Sequence, residues 1–176
     1  MPYAQENIET ELSPNFLTIT RPWEAHKVGN PTIGMGKFYW VILDLGVRRP
    51  HQNWTWPDWI TLTSKDLILL TTILRHNNKS IWKTDKNIRN CFSQISKAIN
   101  SDKNGSQASN IRLLVNYLLI LLLDILDTDE VVLNEALTDS SRSVRLFLNE
   151  LDKNLSENWT IEKMSESAGV GLTRFT

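Results

Sequence analysis

The stretch LSENWTIEKMSESAGVGLTRF, residues 155–175, reads as a helix, a tight turn and a second helix. Thr160 is placed as an N-cap, offering a hydroxyl to one of the N–H groups that a first turn leaves unpaired. Glu162 follows where a negative charge suits the positive end of the helix dipole. Ile161, Met164 and Ala168 line one side of that helix. Gly169 is the residue type that adopts a left-handed backbone at least cost and so stops a helix. After Val170 and Gly171 a further helical pattern opens at Leu172.

Upstream of this stretch the 3.6-residue period persists. Val144, Phe147, Leu148, Leu151 and Leu155 form one stripe behind Asp139 and Ser140 as candidate caps, in a helix expected to end near Asn158. Residues 111–126 are apolar almost all round, which implies burial on several sides, by the helix's own domain and by a second copy of it. This run contains Asn116, ends in Asp124 and Asp127, and falls short of the roughly 20 apolar residues of a membrane span, so it reads as a buried helix. Residues 101–109, SDKNGSQAS, are the strongest linker signal, and a helix resumes near Asn110. Ile88, Cys91, Phe92, Ile95 and Ile99 make a further stripe, with Cys91 in the core. Ser64 is placed as an N-cap before Asp66, Leu67, Leu70 and Leu74. His76 and Asn77 end that helix, and His76 is expected to cap its last carbonyls.

Before residue 62 the pattern changes. Residues 16–20 alternate apolar and Thr, and residues 38–45 are aromatic and β-branched. A turn region with Gly29, Pro31, Gly34 and Gly36 lies between them, so two paired strands are expected. Two strands alone are marginal, and such a sheet needs more strands, a helical lid or a partner chain. Residues 50–59 hold Trp54, Trp56 and Trp59 around Pro57, an extended strap over the core rather than a platform for sugar stacking.

Composition narrows the function classes. The chain has 176 residues, with 19 Lys+Arg against 20 Asp+Glu and a net charge of −1, so no global charge points to nucleic acid or membrane. A hydrophobic fraction of 41% with 22% charged residues excludes disorder and predicts a real core. Cys91 is the only cysteine, which excludes an intramolecular disulfide and suits a reducing cytosol. Glu6, Glu9 and Glu11 stand where an export signal would carry basic residues. No Gly-x-Ser-x-Gly, His-Glu-x-x-His or phosphate-cradling glycine loop occurs, and Glu24 and Asp44 do not make an acid/base pair by sequence. No catalytic residue and no cofactor is expected, and the chain is not read as an enzyme.

Residues 155–175 resemble the first helix-turn-helix of the AraC/XylS family of bacterial transcription regulators, with the family's roles falling to Thr160, Glu162, Ala168, Gly169, Val170, Arg174 and Phe175. Residues 16–47 look like the closing strands of the cupin-like sensory domain common in that family. They contain Arg21, Pro22, Trp23, Glu24 and His26 and then Phe38, Tyr39 and Trp40. The chain departs from the family pattern in Lys163, where a capping box would place Glu, and in Gly171, where a Ser cap is usual. A recognition helix over residues 172–176 is about one turn, the second helix-turn-helix is absent, and the strands are too few for a barrel.

The resemblance implies an α+β chain, shortened at both ends. Residues 1–62 would be a partial cupin-like sensory segment, residues 63–138 a helical linker and dimerisation region, and residues 139–176 an incomplete AraC-type DNA-binding domain. The intact protein would be a cytoplasmic, homodimeric transcription regulator whose partners are DNA and a small-molecule effector. Effector binding would shift the population of DNA-binding arrangements. Weak or absent specific DNA binding is expected of the 176 residues. The DNA-contacting residues would be Gly171, Leu172, Thr173 and Arg174, with Arg174 on a guanine or a phosphate. Arg21, Glu24 and His26 would rim the effector pocket. Glu24, His26 and His51 are of metal-ligating types, but they lack the His-x-His start of metal cupins, so no metal is expected. Two alternatives are a dimerisation or inhibitory module without DNA binding, and a small cupin-like ligand-binding protein.

Overall fold

The computed structural model describes every residue except 7, 30–32, 34, 128–130, 139 and 176, together with the side chains of residues 136 and 174. The chain is α+β. Its elements are β1 (Pro2–Gln5), β2 (Ile8–Glu11), β3 (Phe16–Thr18), β4 (His26–Val28), α1 (Ser64–His76), β5 (Ile81–Lys83), α2 (Lys86–Ser101), α3 (Ala108–Leu126), a 3₁₀ turn (Glu135–Thr138), α4 (Ser140–Leu151), α5 (Ile161–Ala168) and α6 (Leu172–Phe175).

The helical stripes do what their spacing requires. Ile88, Cys91, Ile95 and Ala98 of α2 close on Leu114, Val115, Leu118 and Leu121 of α3 to make one core cluster. Burial pushes the Cys91 thiol up, and its Sγ lies 3.3 Å from the Leu114 carbonyl, so it is a core side chain. An adjoining face of α3 supplies Leu119 and Leu126 to a second cluster with Leu70 and Ile73 of α1 and with Trp82. Among the described residues α3 is the one helix long and apolar enough, by length and composition, to cross a membrane. Its one polar core residue is fully engaged. Asn116 accepts from the Thr61 N–H at 2.6 Å and donates to the Trp59 carbonyl at 3.1 Å, which pins the tryptophan strap to the helix. Trp56 adds a hydrogen bond to Thr71 at 2.9 Å, and Trp54 packs with Trp23, Leu45 and Val47, so the tryptophans serve packing.

The front of the chain differs from the two strands expected. β1 is the centre of a three-stranded antiparallel sheet, order β2-β1-β4, with Tyr3 opposite Thr10 on one side and Val28 on the other. β3 pairs not with residues 38–45 but with β5, Leu17 opposite Trp82. Residues 38–45 form no strand. Their alternation nevertheless governs burial, because Val41, Leu43 and Leu45 turn inward while Ile42 is 89% exposed. The inward side chains are covered by α2, α3 and the tryptophan strap, which satisfies the apolar face without a sheet partner.

Several boundaries also move. Thr63, not Ser64, caps α1 through its hydroxyl on the Asp66 N–H, because Ser64 already has helical backbone. The linker narrows to residues 102–107, since α2 runs through Ser101 and α3 begins at Ala108. α4 stops at Leu151, so Leu155 lies beyond it and is exposed, as is Leu148 on its outer face. Ile161, at the first position of α5, is exposed too. Of the expected turn and cap residues, Pro31, Gly34 and Asp139 lie outside the described residues.

Candidate functional site

The C-terminal unit is built by local chemistry. The Thr160 hydroxyl accepts from the Lys163 N–H at 3.2 Å and caps α5. The Glu162 carboxyl is held below the usual carboxylate range by a hydrogen bond from its own N–H and by Thr160. Gly169 ends α5 with φ +67°, and the Val170 N–H returns to the Ser165 carbonyl at 3.1 Å, closing the turn. α6 then starts at Leu172. Phe147 of α4, fully buried, meets the Trp159 ring edge-on at 5.5 Å and the Phe175 ring at 6.1 Å, which locks α4 and α6 around one aromatic centre. Gly171, Leu172 and Thr173 are exposed at the start of α6, whereas the Arg174 side chain lies outside the described residues.

The strap reaches this unit directly, a contact with no counterpart in the sequence pattern. Arg49 pairs with Glu150 of α4, and the His51 Nδ1 lies 3.0 Å from the buried Ser143 hydroxyl of the same helix. The His51 ring also sits against Gly169, where an added Cβ would fall 2.3 Å from Nδ1. Burial, and secondarily Arg49, holds the His51 imidazole below its ordinary pKa.

A second site lies under the three-stranded sheet, a cavity of about 300 Å3 between β1, the turn at residues 21–24 and the C-terminal end of α1. Arg21 and Glu24 both line it, whereas His26 does not: it stands exposed on β4 with its Nδ1 3.1 Å from the Glu24 carbonyl. Arg21 is tied to the helix end. Its Nε donates to the Leu74 carbonyl at 2.8 Å and Nη2 to the Asn77 carbonyl, so this arginine, not His76, satisfies the last carbonyls near α1. His76 instead faces Thr138, 3.4 Å from its hydroxyl. Arg21 Nη1 pairs with Glu24, whose other oxygen accepts from Gln5 at 2.7 Å and from the Arg21 N–H at 2.9 Å. Burial pulls the Arg21 guanidinium below its ordinary pKa, and Glu24 opposes this. On the cavity wall Glu6 pairs with Arg142 of α4, an ionic link from this site to the C-terminal unit. Gln5, Glu6 and Ser80 line the cavity without having stood out in the sequence, where they carry no periodic or motif signal.

Among the described residues no three His, Cys, Asp or Glu side chains gather as a metal site, and His51 is engaged far along the chain from Glu24 and His26. No protein-family model, curated protein or solved structure matches the chain.

Proposed function

We propose that these residues belong to a DNA-binding transcription regulator of the AraC type, ligand-responsive, cytoplasmic and homodimeric, and not an enzyme. The observation that carries this is the sequence of Thr160 cap, α5, left-handed Gly169 and α6 braced by Phe147 of α4. Such a unit presents the first residues of its last helix outward, as a recognition helix must. Gly171, Leu172, Thr173 and Arg174 occupy those positions, and Arg174 would contact a guanine or a phosphate. The cavity bounded by Arg21 and Glu24 would take the effector, and the Glu6–Arg142 pair would carry its occupancy to α4.

Homodimerisation is supported by α3. Leu113, Tyr117 and Ile120 stay 69%, 44% and 47% exposed at spacings of four and three, an apolar seam on one face. Exposed Arg112 and Asp124 lie toward opposite ends of the helix, so an antiparallel pair would match them across the seam. The same seam favours a second reading, a dimerisation or inhibitory module without DNA binding.

Mapping of DNA captured with the protein tagged at its native locus tests the proposal. Discrete sites sharing a repeated half-site are expected, with enrichment lost on Arg174→Ala, since one bidentate base contact is worth about 1–3 kcal/mol. Captured DNA without enriched sites, from a protein that still self-associates, would overturn it in favour of the second reading.

A further inference from the structure

We propose that residues 35–42 and the outer face of α2 form a docking surface for an anionic lipid bilayer, on which the protein lies without spanning it. The surface uses no residue of α4, α5 or α6 and is independent of the regulator reading. Residues 38–43 are an extended segment apolar on both faces. Tyr39, Val41 and Leu43 turn toward α2 and α3, Tyr39 through a stacked contact with the Phe92 ring at 6.0 Å. On the outer side the Phe38 and Trp40 rings lie 5.9 Å apart, Trp40 is 67% exposed, and Ile42 is more exposed still. Met35, just before them, is fully exposed. An extended segment that is apolar on both faces is ordinarily covered on both, and the chain itself covers only the inner one.

The charge beside this strip identifies the outer cover. Phe92 stands on α2 with Arg89 one turn before it, and Lys86 and Lys97 lie further round the same exposed side of the helix. Residues 79–103 hold six Lys and Arg against Asp85 and Asp102, a net charge of +4 within a chain of net charge −1. Both acids are engaged by backbone, Asp85 accepting from the Ile88 N–H and Asp102 from the Gln107 N–H, each at 2.9 Å. Among the described residues no ion pair engages Lys83, Lys86, Arg89, Lys97 or Lys103. Exposed Lys37 adds a cation at the near end of the strip, and Asp44 at the far end is spent on Arg48 through two bonds of 2.9 Å.

An apolar strip edged by unpaired cations fits an anionic bilayer, whose interface takes up the strip while its headgroups meet the Lys and Arg. Trp40 and Tyr39 are of the types that settle at headgroup level, and the Lys37 stem carries its ammonium outward past the apolar side chains. A second copy fits worse. Paired strip to strip, two copies would bring Lys37 and Arg89 of each toward the other with no free acid to meet them. A single-stranded nucleic acid would use the cations but has no place for Met35 and Ile42, and Phe38 and Trp40 lie against each other rather than open to a base.

Co-sedimentation of the whole protein with mixed phosphatidylcholine–phosphatidylglycerol vesicles, set against vesicles of phosphatidylcholine alone, tests the inference. Tighter binding to the mixed vesicles is expected, weakened by about 1 M salt, where the screening length is ~3 Å. Ile42→Ser, at an exposed position that leaves the core and the urea midpoint unchanged, should weaken binding about tenfold. Lys86→Gln with Lys97→Gln should weaken it about 25-fold, about fivefold for each cation. Trp40 is the exposed one of the seven tryptophans, so vesicles with brominated acyl chains should quench its fluorescence, and Trp40→Phe should remove that quenching. No binding to the mixed vesicles at about 1 mM lipid overturns the inference, as does binding that Ile42→Ser or the lysine pair leaves unchanged. Self-association or single-stranded oligonucleotide binding that depends on Ile42, in place of vesicle binding, overturns it in favour of that other occupant.

Discussion

Gly169→Ala tests how tightly the C-terminal unit is held. At φ +67° an L-residue pays about 1–2 kcal/mol for the left-handed backbone. The added methyl also meets the His51 ring, 2.3 Å from Nδ1, 2.5 Å from Cγ and 2.8 Å from Cε1, all well inside contact distance. The ring cannot retreat without giving up the Ser143 hydroxyl at 3.0 Å, so overpacking adds about 1–3 kcal/mol. The total is about 2–5 kcal/mol. In urea, with a slope of about 2 kcal/mol/M, the midpoint should fall by about 1–2.5 M. The two causes separate in a double-mutant cycle. His51→Ala in the Gly169→Ala background should recover the steric part and leave the backbone part, a coupling of about 1–3 kcal/mol. A Gly169→Ala variant within ~0.5 kcal/mol of the parent, or a cycle in which the two changes simply add, would refute the close packing of strap on turn.

Asn116→Leu makes α3 more apolar but leaves the Thr61 N–H and the Trp59 carbonyl without partners, and a loss of about 2–4 kcal/mol is expected in urea unfolding; a more stable variant would contradict the pinning role. The His51 imidazole has a lowered folded-state pKa, so as pH falls below the ordinary histidine value of about 6.5 the unfolded chain takes up a proton that the folded chain resists. Stability should therefore decline from pH 7.5 toward pH 5.5, and His51→Gln should flatten that decline, with a residual slope of the same sign from His76, whose pKa is also lowered by burial. Urea midpoints across that range check it, and identical slopes in parent and variant would count against it.

What was legible in the chain divides by the reach of the chemistry. Thr160, Gly169 and the start of α6 at Leu172 are readable because a cap is decided by one residue and its neighbours within a turn. The α2 and α3 stripes are readable because a 3.6 period over several turns leaves one consistent buried face. Residues 38–45 mark the limit. Their period of two reports that an extended chain shows one face inward, as Val41, Leu43 and Leu45 do, but carries no information on what covers that face, and helices cover it. The true partner of β3 was hidden for the opposite reason: Ile81–Lys83 is too short to show any period, and only the burial of Trp82 reveals that it belongs to the core. Both sites extend this rule.

Arg21 and Glu24 enter the sequence reading only through the resemblance of residues 16–47 to a cupin-like segment, yet most of their charge holds the end of α1 rather than a ligand. Ser80, whose buried hydroxyl finds no partner, comes from an inter-element loop, and neither type nor spacing distinguishes it. A group's unspent hydrogen bonds become visible only once the fold has spent the others. His51 obeys the same logic. In sequence it is one histidine beside a proline, whereas in the fold its ring fills the space that Gly169 leaves empty, so the glycine serves the turn and the contact at once. An asparagine at position 169 would keep the left-handed backbone at lower cost but not the space, and the double-mutant cycle with His51 distinguishes those two requirements.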